Sequence, residues 1–268
     1  MERTNISEHR YIFVCGLHRS GTSVLFRSLR DHPEVSGFHN TMSPEDEGMH
    51  LQTVYPPSGR YGGAGAFGFH SEAHLTEDSL LVSEANRQKL FSEWSRYWDL
   101  SRMYLLEKSP PNIIRTRFLQ AMFPNSYFII MLRHPLAVSY ATQRWYRSYK
   151  INWRGFPRIF EHWLVCHEIF KADQKHLQNS FVVKYEEFVA QPHTWVNNMY
   201  HFLELGDYSV NQKIISDVNN KYFKIWDQKL SGLFSGPMNR AIIERYEDRV
   251  RCFGYSLTDP EWIGPVVG

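Results

Sequence analysis

Short, continuous apolar runs alternate with helix-like stretches along most of the chain. The runs occupy residues 11–15, 103–108, 127–132 and 181–185. Apolar runs of this length, without polar alternation, are typical of strands that are buried on both faces of a sheet. Because helical patterns separate them, we expect an α/β fold in which helices cover both faces of a P-loop-type parallel β-sheet.

The segments between these runs differ in their periodicity. Residues 40–70 are rich in Gly and Pro and have no clear period. A connection of that length is typical of a loop that contributes to function. Helical patterns occupy residues 21–30, 83–100, 113–123, 135–149 and 155–177 and most of the chain after 185.

The bulk composition fits one large domain. The chain has 268 residues, of which 43% are hydrophobic, and we find neither an internal repeat nor a dividing linker. A net charge of +2 is too small for a protein that binds nucleic acid through charge alone, but it is compatible with a local pocket for an anion. The oligomeric state cannot be predicted from these features.

The cysteines and the chain start suggest an intracellular protein. The three cysteines, Cys15, Cys166 and Cys252, are widely spaced and suit neither a disulfide framework nor a metal site. No apolar run approaches the ~20 residues that a membrane-spanning helix needs. The first ten residues, MERTNISEHR, contain no apolar signal core. We therefore expect a cytoplasmic protein without a membrane partner.

The sequence GLHRSGTS at residues 16–23 follows the first predicted strand and precedes a predicted helix. Its glycines have the G-x-x-x-x-G spacing of a phosphate-binding loop, in which backbone amides and a helix N-terminus bind the anion. Thr22 stands where an ATP- or GTP-binding loop has lysine, while Arg19 adds a guanidinium group. The spacing alone also fits an ordinary strand-to-helix turn, but the context favours phosphate binding.

Polar residues also stand at the ends of the other predicted strands. Ligands of an open parallel sheet bind beyond the carboxyl ends of its strands, so these residues are candidates for the same site. Lys108 ends the second strand, Arg133 follows the third, and Tyr185 ends the fourth. We expect a second anion site at Arg133, with Ser139 or Thr142 nearby. Each strand-end residue also has an alternative, structural interpretation. Lys108 would be an ordinary surface lysine, Arg133 would bind helix carbonyls, and Tyr185 would cover the core.

In this order, the motifs resemble the sulfotransferase superfamily that uses 3′-phosphoadenosine 5′-phosphosulfate (PAPS). The likeness is greatest to the bacterial and tyrosylprotein branches and covers about residues 11–190. It implies a single domain, 1–268, with a nucleotide-binding core (11–190), an acceptor-pocket insertion (40–100) and a helical C-terminal part (191–268). Residues 221–240 are either a lid or a connection between helices. The segments that carry the resemblance are GLHRSGTS, LFRSLRDHPEV, EKSPPN, FPNSYFIIMLRHPLAVSYA and VVKYEEF.

The resemblance also implies roles for individual residues. Arg133 matches the arginine that binds the 3′-phosphate, Tyr185 a tyrosine near the nucleotide, and Lys108 a lysine that supports the transferring group. The serine that the family has eight residues after the arginine is replaced by Ala141, so Ser139 or Thr142 would supply the hydroxyl. The residues that match the loop around the 5′-phosphosulfate are Arg19, Ser20, Gly21, Thr22 and Ser23.

The implied reaction is in-line transfer of a sulfuryl group to a hydroxyl or amine, which releases 3′,5′-adenosine diphosphate (PAP). A sulfuryl group has less negative charge than a triphosphate, so we expect Arg19 and the loop amides to suffice without a metal. The general base is expected in FHNTMSPEDEGMH, residues 38–50. Glu47 is the first candidate and Glu45 and His50 follow. A solvated acidic turn is the alternative, and the same segment contains His39 and Asp46.

The acceptor is expected to be a small molecule. One alternative function is a P-loop nucleotide kinase or nucleoside triphosphatase, which Thr22 in place of lysine disfavours. Another is a non-catalytic nucleotide-binding protein of the same fold, which Ala141 favours. Aromatic residues that would suit a flat acceptor, or simply the core, are Tyr55, Phe67, Phe69, Trp145, Tyr146 and Trp153.

Overall fold

A parallel β-sheet of five strands organises the part of the chain that this computed structural model describes, residues 6–148, 155–209 and 214–266. The strand order is β2-β3-β1-β4-β5, and every neighbouring pair is parallel. This confirms the expected α/β fold. The strands are β1 (Arg10–Gly16), β2 (Val35–Gly37), β3 (Tyr104–Lys108), β4 (Ser126–Leu132) and β5 (Ser180–Lys184).

The edge strand β2 is the element that the apolar pattern does not predict. It has three residues, VSG, and only Val35 is a large apolar residue. Val35 pairs with Tyr104 and Gly37 with Leu106. A strand this short has no detectable periodicity, so its place in the sheet depends on β3 rather than on its own sequence.

Helices cover the sheet and occupy most of the segments predicted to be helical. The stretch predicted at 83–100 ends as a helix at Trp94, and the stretch at 113–123 begins with a 3₁₀ turn at Pro110–Ile114. The described helices are α1 (Thr22–Arg30), α2 (Glu84–Trp94), α3 (Thr116–Met122), α4 (Pro135–Ser148), α5 (Phe156–Gln174), α6 (Tyr185–Ala190), α7 (Pro192–Phe202), α8 (Asn220–Ser231) and α9 (Ser235–Arg251). None of these helices is both long and apolar enough to cross a membrane.

The irregular stretch at 40–70 is built from short 3₁₀ turns. Four lie within it, and non-glycine residues before and inside the first turn, among them Asn40, Met42 and Glu45, have left-handed backbone angles. Such angles are uncommon outside glycine and cluster at functional sites. The four turns are Pro44–Asp46, Gly48–His50, Ser58–Tyr61 and Phe67–Phe69.

The hydrophobic core surrounds the central strands. Polar residues lie instead at the edge of the sheet formed by the carboxyl ends of the strands. Phe13 of β1 packs against the rings of Trp94, Phe123 and Phe128. Burial of each side chain of this size contributes about 1.5–3 kcal/mol to folding. Strand pairing sets Gly16 opposite Met131. The carboxyl ends of β1, β3, β4 and β5 therefore meet at the same edge.

Candidate active site

A cleft of about 840 Å³ opens at this carboxyl edge of the sheet. It lies where the strand order reverses around β1, which is the usual ligand position in an open parallel sheet. Its volume is in the range of small-molecule sites. The lining comes from the loop and first turns of α1 (18–27), the irregular segment (44–64), α4 (141–145), and the single residues Pro110, Arg133, Tyr185 and Tyr222.

The loop after β1 forms a cradle of free amides. The backbone N–H groups of Gly21, Thr22 and Ser23 have no acceptor among the described residues, and all three residues line the cleft. Gly21 has φ of 101°, which few other residues adopt, and a Cβ here would overlap the ring of Tyr185. Unpaired amides at the N-terminus of α1 suit an anion such as a phosphate.

The remaining loop residues differ in what they offer to the cleft. Ser20 is buried and outside the lining, and its hydroxyl donates to Leu17 O at 2.7 Å. The Ser23 hydroxyl donates to a carboxylate oxygen of Glu45 at 3.3 Å. Arg19 lines the cleft with its guanidinium 5.8 Å from the Trp145 ring. Ser20 therefore shapes the loop, whereas Arg19 provides a cation at its mouth.

Arg133 is buried at the end of β4 and is held from three sides. Its Nη1 donates to Arg19 O at 2.7 Å, and this bond connects Arg133 to the loop after β1. Its Nε and Nη2 donate to Asn219 Oδ1 at 2.9 and 2.6 Å, and its guanidinium lies 4.1 Å from the centre of the Tyr185 ring. The guanidinium is thus fixed beside the cleft, next to both Tyr185 and the cradle.

Asn219, which precedes α8, is a site residue that the sequence motifs do not reveal. Its amide nitrogen donates to Glu186 Oε1 at 2.6 Å, and Glu186 also accepts from the Tyr255 hydroxyl at 2.7 Å. Asn219 therefore joins the C-terminal part of the chain to Arg133. The only sequence signal for it is an asparagine before a predicted helix, which is too common to identify a site.

The start of α4 distinguishes the two hydroxyls predicted near Arg133. Thr142 lines the cleft next to Ala141. Ser139 is fully buried outside the lining, and its hydroxyl has no hydrogen-bond partner among the described residues. Of the two, Thr142 is the one that a ligand in the cleft can reach.

Glu47 and Lys108 form a buried ion pair at the wall of the cleft. Lys108 Nζ lies 3.1 Å from Glu47 Oε1 and also donates to Glu45 O at 2.9 Å. Lys108 is 1% exposed and lies behind the lining, whereas Glu45 and Glu47 line the cleft. Burial raises the pKa of Glu47, and the Lys108 ammonium opposes part of that rise.

His50 lies beside this pair. Its Nε2 is 3.9 Å from Glu47 Oε2, and it lines the cleft. Burial and, to a smaller extent, Lys108 lower the pKa of His50, so its imidazole is neutral at pH 7. The structure thus brings Glu45, Glu47 and His50 to one wall.

The other two titratable residues of this segment, Asp46 and His39, have structural contacts instead. The Asp46 carboxylate accepts from the Thr41 amide and hydroxyl, and His39 Nδ1 lies 3.0 Å from an Arg30 nitrogen. Neither Asp46 nor His39 lines the cleft.

His18 is a second residue that the motif analysis missed. It lines the cleft, and its buried Nδ1 has no hydrogen-bond partner among the described residues. Burial, helped by the neighbouring charges of Lys108 and Arg19, lowers its pKa to about 3. His18 therefore stays neutral and adds no further positive charge to a wall that already holds Lys108.

Of the aromatic residues suggested for an acceptor, Trp145 lines the cleft. Tyr55 and Phe67 are buried in the core, and Tyr55 lies against the Arg115 guanidinium. Tyr146 is also buried and donates to Ala64 O. Phe69 lies outside the lining, and Trp153 falls outside the described residues.

The stretch at 221–240, expected to be either a lid or a connection between helices, is mostly helical. The stretch contains nearly all of α8 and the start of α9, joined by residues 232–234. Tyr222 of α8 lines the cleft. The contribution of this stretch to the cleft wall therefore comes from the first turn of a helix.

Comparison with protein families gives one match over most of the chain. Residues 11–209 match a family described as the sulfotransferase family. A comparison with curated proteins finds no matching sequence.

Similar solved structures include a bacterial sulfotransferase and a bacterial sulfotransferase domain. A sulfotransferase from Alicyclobacillus acidocaldarius has 18% identity and a TM-score of 0.51, with 91% of this chain and 99% of that chain covered. The sulfotransferase domain of the Synechococcus PCC 7002 olefin synthase has 16% identity and a TM-score of 0.49, covering 81% and 88%. At this identity the first likeness supports the α/β fold.

Proposed function

Because the chain belongs to the sulfotransferase family, we propose that it transfers a sulfuryl group from PAPS to a hydroxyl or amine of a small acceptor. The observation that supports this most is the convergence at one cleft of an amide cradle, Arg133 and the Glu47–Lys108 pair. The first two suit two anionic groups on one ligand, and the third suits proton removal.

The donor would bind with its phosphosulfate in the cradle and its 3′-phosphate at Arg133. The free amides of Gly21, Thr22 and Ser23 fit the first group because they need an acceptor. Arg133 uses three N–H donors in the protein and retains the others for a phosphate. Thr142 is the hydroxyl that we assign to the 3′-phosphate.

Transfer would proceed by in-line displacement. As the acceptor oxygen or nitrogen forms its bond to sulfur, the bond between sulfur and the bridging oxygen breaks and PAP leaves with that electron pair. Glu47 takes the acceptor proton as a general base. Arg19 and the loop amides stabilise the charge that develops on the leaving phosphate. We propose that none of these steps requires a metal.

Lys108 and His50 support Glu47 in this scheme. Glu47 lies between Lys108 and the cleft, so Lys108 cannot contact bound PAPS. We therefore propose that Lys108 holds the Glu47 carboxylate in place and adds positive charge behind the transferring sulfuryl group. His50, neutral and 3.9 Å from Glu47, is placed to pass the proton onward to solvent.

Incubation with ³⁵S-labelled PAPS and a mixed library of phenols, alcohols, sugars and amines tests this function. We expect labelled product in the presence of a chelator, and we expect Glu47→Gln to reduce turnover by about 10²–10⁴-fold. Absence of labelled product from every acceptor class, despite PAP binding, would instead support a non-catalytic nucleotide-binding protein. Small acceptors from this library should react better than a tyrosine-containing peptide. We also propose a cytoplasmic location, which cell fractionation would test.

A further inference from the structure

We propose that Glu107, which does not line the cleft, is a positioning residue that holds the turn bearing Glu47 in place. The inference rests on the proposed function, since it gives Glu107 a part in the reaction through Glu47. Glu107 precedes Lys108 in β3 and is completely buried.

Three consecutive residues, 47–49, bond to three consecutive residues, 107–109, at and just after the end of β3. The side chains of Glu47 and Lys108 form the ion pair at 3.1 Å. Gly48 N donates to Glu107 Oε1 at 2.9 Å. Met49 N donates to the Ser109 hydroxyl oxygen, also at 2.9 Å. The backbone is therefore fixed at both residues that follow Glu47, Gly48 and Met49.

Glu107 is the centre of this arrangement. Its Oε1 also accepts from the Ser109 hydroxyl at 2.5 Å, and its Oε2 accepts from Asn112 Nδ2 at 2.5 Å. On the far side of the turn, Trp94 Nε1 donates to Gly48 O at 2.9 Å. Both polar groups of the Gly48 residue thus have fixed partners, and Glu107 supplies one of them.

The fit between Gly48 and Glu107 leaves no free space. A Cβ added to Gly48 would overlap the Glu107 carboxylate. A fully buried acid is costly to fold unless donors surround it, and burial raises the pKa of Glu107 to about 7. An apolar side chain would suit a buried strand better, so the acid here is explained by the bonds that it makes to the turn.

Asn112 provides the basis for a conservative variant. Its Oδ1 has no partner among the described residues, while its Nδ2 donates to Glu107. In Glu107→Gln, rotation of the Asn112 amide would present Oδ1 to the new NH₂ group. Gln can therefore keep the bonds to Gly48 and Ser109, whereas Leu has similar volume but no acceptor.

Hydrogen exchange tests the positioning directly and needs no acceptor. We expect Glu107→Leu to speed amide exchange of residues 47–50 by at least about tenfold, which corresponds to loss of one buried hydrogen bond. Glu107→Gln should exchange like the wild type. Leu105→Ala, at another buried residue of the same strand, controls for lost stability. Unchanged exchange at 47–50 in Glu107→Leu, or an equal increase in Leu105→Ala, would overturn the proposal.

A double-mutant cycle with Glu47→Gln tests the catalytic consequence, with the best acceptor from the labelled-PAPS library as the probe. We expect Glu107→Leu alone to lower kcat by about 10–100-fold, because a shift of about 1 Å is enough for this, with KM for PAPS unchanged. In the Glu47→Gln background, adding Glu107→Leu should lower kcat by less than about a further threefold. Multiplicative effects, or a loss in Glu107→Gln equal to that in Glu107→Leu, would contradict a role through Glu47.

The two experiments separate failure of the inference from failure of the proposed function. If the wild-type protein transfers no label from PAPS, the proposed function fails, while the exchange data still decide whether Glu107 fixes the turn. If transfer occurs and the cycle is multiplicative, the function stands and the positioning role of Glu107 is wrong.

Discussion

At the scale of single residues, the site depends on buried charges that are held in place by partners. Glu47 is paired with Lys108, and Arg133 is bonded to Asn219 and to Arg19 O. A buried charge that loses its partner is costly, typically by about 3–5 kcal/mol. These residues are therefore fixed before any ligand binds, which lowers the cost of arranging them for the reaction.

The pH profile of transfer should report the environment of Glu47. A general base must be ionised, and burial raises the pKa of Glu47 above the ordinary value of 4.5. Activity should therefore fall as the pH is lowered through this raised pKa, at a higher pH than for an exposed glutamate. Lys108→Met removes the cation that favours the carboxylate, so the acidic limb should move to still higher pH. Measurement of kcat/KM against pH locates the acidic limb in the wild type and in Lys108→Met.

The matched control for that shift is Lys89→Met, the same change at an exposed lysine of α2. It should leave the acidic limb where it is in the wild type. If Lys108→Met also leaves the limb unmoved, the base is a group other than Glu47.

Arg133→Leu should weaken binding of PAP but not of adenosine 5′-monophosphate, which lacks the 3′-phosphate. Hydrogen bonds to charged groups are worth about 1.5–3 kcal/mol, so a 10–100-fold rise in Kd for PAP is expected. Titration calorimetry with both nucleotides measures the difference. Equal losses for the two would assign Arg133 to a part of the ligand that they share, or to the fold.

At the scale of elements, the strand ends determine the site. The apolar runs predict four of the five described strands because each is buried and continuous, as in YFIIML of β4. They miss β2, whose three residues have no pattern of their own. Of the polar residues at the ends of the predicted strands, Arg133 and Tyr185 line the cleft, whereas Lys108 lies behind its wall.

Other parts of the site could not be predicted because they depend on contacts between distant segments. Glu47 and Lys108 are both apparent as polar residues, but their pairing joins a turn to a strand 61 positions away. Asn219 reaches Arg133 across 86 positions and belongs to no motif. Likewise, whether Ser139 or Thr142 faces the cleft depends on the rotation of α4 against the sheet, which is determined by packing.

Gly21→Ala should damage the turn between β1 and α1. The alanine would have to adopt φ of 101° and its Cβ would overlap Tyr185, so we expect a loss of stability of about 1–3 kcal/mol and weaker PAP binding. Gly59→Ala is the matched control, because a Cβ there meets nothing within 4 Å although Gly59 also lines the cleft. Denaturant unfolding and calorimetry of both variants compare them. Equal behaviour would show that the loop adapts.

At the scale of the whole molecule, one sheet edge combines a loop of phosphate-binding type with Glu47, the carboxylate that we propose as the general base. The loop lacks the lysine of ATP-binding loops, since Thr22 occupies that position. The nearby cations include Arg19 and Arg133, which line the cleft, and Lys108, which lies behind its wall. This distribution suits a ligand with anions at both ends of a nucleoside better than a triphosphate, which depends on a magnesium ion.

Titration calorimetry of the wild-type protein with PAP tests this most directly. We expect one site per chain with a micromolar Kd that is unchanged by a chelator, together with much weaker binding of ATP even when magnesium is present. No detectable binding of PAP at micromolar concentrations, or tighter magnesium-dependent binding of ATP, would contradict a site built for PAPS.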